Sequence, residues 1–174
     1  MSSGDVVIIA IDLAGRIHPS CALNWDSVTM KPAEVVRAQV QVLEQLGRGH
    51  LVTAGKDISN PGIIGTLGML LEVSGKGALI DLDLIPKPDL KAHAMTFEQW
   101  IRCYPGMGFV LTARPEYADE IGQRFAKVGM VAKVIGTVDT SRELRIMYEG
   151  EDSSVFDFSR HGVMQLFPDN TPCQ

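Results

Sequence analysis

Apolar positions along the chain fall into short runs punctuated by glycine, proline and acidic residues, and their period switches between two and about 3.6. Val6-Val7-Ile8-Ile9-Ala10-Ile11 is continuous and mostly β-branched, and Asp12 and Gly15 follow it. That is the pattern of a strand buried on both faces. From Arg16 to Met30 the chain is polar and irregular, holding Pro19, Asn24, Trp25 and Asp26. A connection of about fifteen residues exceeds the usual length, and long loops are often functional. Behind Pro32, Val36, Val40 and Leu43 recur at helical spacing until Gly47 and Gly49 supply a stop. Leu51 to Ala54 predicts a short strand. Lys56-Asp57-Ile58-Ser59-Asn60-Pro61-Gly62 then leads into a second helix, with Asn60 as N-cap and Pro61 as its first residue.

Ile63, Leu67, Leu70 and Leu71 form the apolar face of that helix, which ends before Gly75. Ala78 to Leu84 is extended, and Pro86 and Pro88 break the chain after it. Thr96 and Gln99 have capping-box spacing ahead of Trp100 and Ile101. Met107 to Thr112 predicts a strand, and Pro115 to Val128 a helix with Ala118, Ile121, Phe125 and Val128 inward and Gly129 as its stop. Val131 to Val138 and Glu143 to Tyr148 predict two final strands.

The resulting order, β, α, β, α, β, short α, β, α, β, β, calls for helices packed on a sheet. The closing pair of strands favours an α+β fold, an α/β sandwich whose sheet is mixed or antiparallel and whose helices lie mainly on one face. Residues 1–174 read as a single domain with a core over about 4–148 and an acidic, polar tail over 149–174. Within that tail Val155-Phe156-Asp157-Phe158 could dock, ahead of a loose end from Pro168 to Gln174.

Composition narrows the functions. With 45% hydrophobic and 21% charged residues the chain has the apolar content to offset its conformational entropy. Sixteen Lys and Arg against twenty-one Asp and Glu give a net charge of −5. No basic run is interleaved with aromatics, so nucleic acid is not the expected partner. Cys21, Cys103 and Cys173 are odd in number and widely spaced, which fits neither a disulfide framework nor a zinc knuckle. No apolar window reaches the roughly 20 residues of a membrane helix, and no signal peptide is recognisable. The expected location is the cytoplasm.

Three segments could carry chemistry. At the Lys56 to Gly62 junction a helix start offers unpaired N–H groups to a phosphate or carboxylate. Gly62, Gly65 and Gly68 leave one side of that helix nearly bare, although each interior glycine costs about 1 kcal/mol against alanine. The plainer alternative is that the bare side packs on the sheet and that Asp57, Ser59 and Asn60 are ordinary caps. Asp81 and Asp83 share one face of an extended segment and could hold magnesium with a nucleotide, or be solvated strand-end acids. Asn24-Trp25-Asp26-Ser27 offers either a stacking surface for a purine or sugar beside polar groups, or a core anchor for the loop. His18, His50, His93 and His161 are dispersed, no metal site is expected, and neither a Walker A motif nor G-x-G-x-x-G after a strand is present.

The run A-G-K-D-I-S-N-P-G-I-I-G-T-L-G-M-L-L-E-V-S-G-K-G-A-L-I-D-L-D-L-I-P resembles the C-terminal half of the aminoimidazole ribonucleotide (AIR) synthetase superfamily. That superfamily also holds thiamine-monophosphate kinase, selenophosphate synthetase, formylglycinamidine ribonucleotide synthetase and the hydrogenase maturation dehydratase. Asn24-Trp25-Asp26 and Y-P-G-M-G-F-V-L-T-A-R-P-E point, within it, to AIR synthase-related proteins of unknown substrate. The resemblance runs from about Gly4 to Tyr148.

It implies a sandwich of ferredoxin-like character and an enzyme in which ATP phosphorylates a substrate oxygen before transfer or ring closure. The D-I-S loop would face the cleft between the two halves, on the substrate side. That makes Asp57 the catalytic candidate, with Lys56, Ser59, Asn60, Gly62 and Gly65, and Asn24, Trp25 and Asp26, as substrate- or anion-binding candidates. Pro61 departs from the glycine or Asp-Gly of several characterised members, so their substrates do not transfer. ATP and Mg²⁺ are implied for the complete enzyme and none for this domain alone, because the acidic nucleotide motifs belong to an N-terminal half that would precede this sequence. The implied partners are that half, in the same or a separate chain, a small-molecule substrate, and a second copy in a homodimer. The rival expectation is a non-catalytic ligand-binding or assembly module that docks a partner protein on its glycine face and open cleft surface.

Overall fold

The computed structural model describes residues 1–164. In chain order the elements are β1 (Val6–Ile11), β2 (Arg16–His18), β3 (Cys21–Asp26), α1 (Ala33–Arg48), β4 (Ala54–Asp57), α2 (Gly62–Ser74), β5 (Gly77–Asp81), α3 (Phe97–Arg102), β6 (Tyr104–Pro105), β7 (Gly108–Ala113), α4 (Ala118–Ala126), β8 (Val131–Asp139), β9 (Glu143–Tyr148) and β10 (Glu151–Asp157). A seven-stranded sheet runs β10-β9-β5-β8-β1-β7-β4, and a small sheet β2-β3-β6 stands apart from it. Within the large sheet β5 and β9 are parallel and all other neighbours antiparallel. The mixed-sheet α+β sandwich expected from the element order is therefore what forms.

Helices cover both faces of that sheet, more evenly than the expected arrangement mainly on one face. The cause lies in β1, whose side chains are apolar in both directions and need cover on each side. Val7, Ile9 and Ile11 join Ile63, Leu67 and Leu71 of α2 and Trp100 of α3 in one core. Ile8 and Ala10 join Val42 and Leu46 of α1 and Ile121 and Phe125 of α4 in the other. The second face stays open over β8 and β5, where Leu79 and Val134 are exposed.

Four local expectations shift. The Arg16 to Met30 stretch is not irregular: β2 and β3 form a hairpin, with Arg16 opposite Asp26, and β6 adds in parallel. The strand expected at Leu51 to Ala54 begins three positions later, because Leu51 closes the end of α1 through its N–H to the Leu46 carbonyl (3.0 Å) and packs in the second core. Helix α2 starts at Gly62 with Pro61 as its N-cap and no side-chain cap, so Asn60 does not cap it. The helix foreseen from Pro115 opens as a 3₁₀ turn over Pro115–Tyr117 before α4. The capping box forms as its spacing requires: Thr96 Oγ1 accepts the Gln99 N–H at 3.1 Å and Gln99 Oε1 accepts the Thr96 N–H at 2.8 Å.

Beyond Tyr148 the acidic segment is structural. β10 pairs with β9, Phe158 is 5% exposed, and Phe156 and Val163 lie against α2. Glu72 of α2, itself buried, accepts the Met164 N–H at 2.8 Å. The loose end expected over residues 168–174, and Cys173 with it, lies outside the described residues.

Candidate functional site

Strand β7 decides where the polar segments meet. Its first residue, Gly108, lies opposite Ile11 on one side, and Phe109 lies opposite Asp57 on the other. The Asp12 N–H reaches the Met107 carbonyl (3.0 Å) and the Ile58 N–H the Gly108 carbonyl (2.9 Å). β1 and β4 therefore both end beside the start of β7, two inter-strand spacings or about 10 Å apart. The Asp57 junction and the loop that follows β1 share one end of the sheet.

On the β4 side, Asp57 is exposed and its carboxylate pairs with Lys56 Nζ at 3.1 Å. Beside them a cavity of about 440 Å³ is walled by Leu43, Val52, Gly55, Phe109 and Leu111. The Ser59 N–H donates to the buried hydroxyl of Thr66 (3.1 Å), which ties the D-I-S turn to α2. Asn60 is exposed. Gly62 and Gly65 are buried and present no open surface. At φ +73° Gly62 lies where an added Cβ would stand 2.7 Å from the Ile101 carbonyl oxygen and 2.9 Å from that of Arg102. Those α3 carbonyls fill the space in front of the helix start. Gly65 lies under Pro61, and Gly68 under Phe156 and Val163. The bare glycine side is thus covered by the chain itself, by α3 and the C-terminal segment rather than by the sheet.

On the β1 side, Trp25 takes the second of the two roles open to it. Its indole is fully buried, donates from Nε1 to the Asp12 carbonyl (3.1 Å), and meets Trp100 and His93 edge to face. It anchors the hairpin and offers no ring face to a ligand. Asp26 organises the turn that follows: Oδ1 accepts the Val28 and Thr29 N–H groups at 3.2 and 3.0 Å, and Oδ2 accepts the Thr29 hydroxyl. Those bonds, the hydroxyl's first, bring its carboxyl down to about 2. Asn24 lies opposite Tyr104 in the small sheet. Tyr104 Oη is 3.1 Å from the Cys21 sulfur, and this hydrogen bond draws the Cys21 thiol below its usual range. Burial pushes Cys103 up to about 11.

The sequence reading missed the most buried charge of this end. Asp12 is fully buried, and its carboxylate accepts from the Ala14 N–H (3.0 Å), Gln39 Nε2 (2.5 Å) and Lys31 Nζ. Asp12 drew notice only as the residue that ends an apolar run; a carboxylate directly after a doubly buried strand was itself the signal, since such a charge requires a partner. Leu13 to Arg16, Asp26, Ser27, Met30, Lys31 and His93 enclose a cavity of about 510 Å³ next to this pair.

Asp81 and Asp83 both take part in turns. Asp81 Oδ1 accepts the Asp83 N–H (2.9 Å) and Asp83 Oδ2 the Glu149 N–H (3.0 Å), so both cap turns. Among the described residues no group of three or more His, Cys, Asp or Glu side chains is placed to hold a metal ion, and no helix is long and apolar enough to cross a membrane.

A mixed α/β sandwich with loop-borne polar groups at one sheet end defines the class of domain. Residues 4–149 match the family described as AIR synthase related protein, C-terminal domain, and the chain belongs to that family. An uncharacterized protein of Methanocaldococcus jannaschii is 47% identical over 161 residues, covering 92% of this chain and 48% of its own length. One of Synechocystis is 33% identical over 158 residues, covering 91% and 48%. The chain thus spans about half the length of the curated relatives it matches. Among solved structures, phosphoribosylformylglycinamidine synthase II of Thermotoga maritima superimposes with a TM-score of 0.71 at 19% identity, over 91% of this chain and 26% of that one. HypE of E. coli gives 0.63 at 15%, over 90% and 51%. At these identities the likeness is one of fold. T. maritima PurL, likewise similar in fold, has been solved with ATP and with FGAR, and HypE in complex with HypF.

Proposed function

We propose that this chain is the substrate-side domain of an ATP-dependent enzyme of the AIR synthase-related kind, in which a substrate oxygen is phosphorylated before transfer or ring closure. The observation that carries this reading is the convergence of β1 and β4 beside the start of β7, with Asp57 exposed and polar loops on both sides of it. ATP and Mg²⁺ belong to the whole protein in this reading and are held by another half; the ATP-bound structures of T. maritima PurL support it. This chain's own Asp81 and Asp83 each hold a turn through one carboxylate oxygen, and the reading assigns them no part in the chemistry. Asp57 is the catalytic residue we assign, oriented by Lys56, with Ser59 and Asn60 beside it facing the substrate. Gly62 and Gly65 shape the start of α2 and touch no ligand.

The rival assembly module loses the glycine side as a docking surface, since Phe156, Val163 and α3 already occupy it, and is left with the cleft end of the sheet. Asp57→Ala, placed in a protein containing both halves, is expected to lower ATP-dependent turnover by about 100-fold or more while leaving assembly intact. Unchanged turnover would remove Asp57 from the mechanism. Titration calorimetry with Mg-ATP, on this chain alone and then mixed with the other half, tests the division of labour: heat of binding is expected in the mixture only.

A further inference from the structure

We propose that the cavity after β1 is a binding site for a small oxyanion, a phosphate or carboxylate group, held by Arg16, Lys31 and His93. What the cavity can hold depends on which polar groups around it are already committed. Asp26 is the carboxylate that lines the cavity, and the fully buried Asp12 is paired with Lys31, which lines it too. Asp12 takes Ala14 N–H on Oδ1 and Lys31 and Gln39 on Oδ2. Asp26 takes Val28 and Thr29 N–H on Oδ1 and the Thr29 hydroxyl on Oδ2. Each accepts three hydrogen bonds of the roughly four that two carboxylate oxygens can take, so both are largely committed.

The donors are in surplus. A lysine carries three N–H groups, and Lys31 gives one to Asp12. Arg16 has five, makes no ion pair with any described residue, and stands at the cavity wall. His93 is fixed by its ring edge against Trp25, 4.8 Å between centroids, and also lines the cavity. Gly15 forms the floor: a Cβ there would lie 2.7 Å from the Asp26 carbonyl oxygen and from Trp25 Nε1. A cavity of about 510 Å³ lined by Arg16 and Lys31 with uncommitted donors, against one carboxylate that is largely committed, favours an anion. Lys31 is also prepositioned, since its bond to the buried Asp12 fixes the long side chain before any ligand arrives. Binding here needs neither ATP nor a second half, so the inference stands apart from the catalytic reading of Asp57.

The test uses the 174-residue chain, titrated with inorganic phosphate and, separately, malonate at constant ionic strength set with chloride, and followed by amide chemical shifts. Saturable one-to-one binding that moves the Gly15 and Arg16 amides is expected. Arg16→Gln, a change at an exposed side chain, should weaken it about tenfold, and His93→Gln by a smaller factor. Lys56→Gln should bind as the unaltered chain does. Tighter phosphate would mark the ligand as phosphorylated and tighter malonate as a carboxylate; either order supports the site. Absence of saturable binding would overturn the proposal. So would retention of binding in Arg16→Gln with loss in Lys56→Gln, which would put the anion at the β4 junction and leave the catalytic reading standing.

Discussion

Asp26 shows how a single side chain can set the acid limit of a fold. Its carboxylate holds the turn that leads into α1 through Val28 and Thr29, and these bonds lower its pKa to about 2 from the ordinary 3.8. A carboxyl depressed in the folded state stabilises the fold fully above the unfolded value and loses that contribution as pH falls through the folded one. The contribution of Asp26 is therefore intact above about pH 4 and gone below about pH 2. Asp26→Asn should lower stability at neutral pH and flatten the fall between pH 4 and 2, as read from urea midpoints across a pH series. Parallel curves for the two proteins would refute this. At this scale the sequence was legible where the chemistry is local. The Thr96 and Gln99 capping box depends on four consecutive residues and forms as read. Trp25 and Asp12 were not decidable, because the partners that fix their roles, Trp100, Lys31 and Gln39, are brought to them by the fold.

Elements were legible in kind and order, and less so in register. β4 slipped by three positions because Leu51 and Val52 are apolar for the second core and not for a strand. The hairpin of β2 and β3 was missed since its polar residues carry no alternation; its pairing is held by the buried Trp25 and by β6, far away in sequence. The glycines of α2 were noticed as a bare side, and the structure supplies what covers it. Gly62 is the most demanding of them, with a left-handed φ and α3 backbone in front of it, neither of which can yield as a flexible side chain would. Gly62→Ala should cost roughly 1 to 3 kcal/mol. Gly47, inside α1 with nothing within 4 Å of an added Cβ, is the matched contrast: Gly47→Ala should gain up to about 1 kcal/mol from helix propensity. Chemical denaturation of both variants checks the pair, and a Gly62→Ala protein as stable as the original would show that α3 gives way.

For the whole molecule, the boundary of the family match and the boundary of the fold differ. The match ends at residue 149, close to the limit expected from the apolar pattern, yet the sheet runs on through β10. A run of Glu, Asp and Ser reads as a solvated tail, and β10 is indeed exposed over most of its length. What holds it is the backbone ladder to β9 together with Phe156 and Phe158, which close the core over α2. Fully burying a phenylalanine contributes about 1.5 to 3 kcal/mol, and a domain of this size has only some 5 to 15 in all. A chain ending at Glu149 would lose Phe158, Phe156, the Val163 contact on Gly68 and the Met164 N–H on Glu72 together. It would also leave β9 as a bare edge beside newly exposed apolar surface, a template for association. We expect residues 1–149 to be less stable than residues 1–164 by about 3 kcal/mol or more, and to aggregate on warming where the longer chain unfolds reversibly. Equal denaturation midpoints for the two lengths would mean that β10 and the segment after it decorate the fold without supporting it.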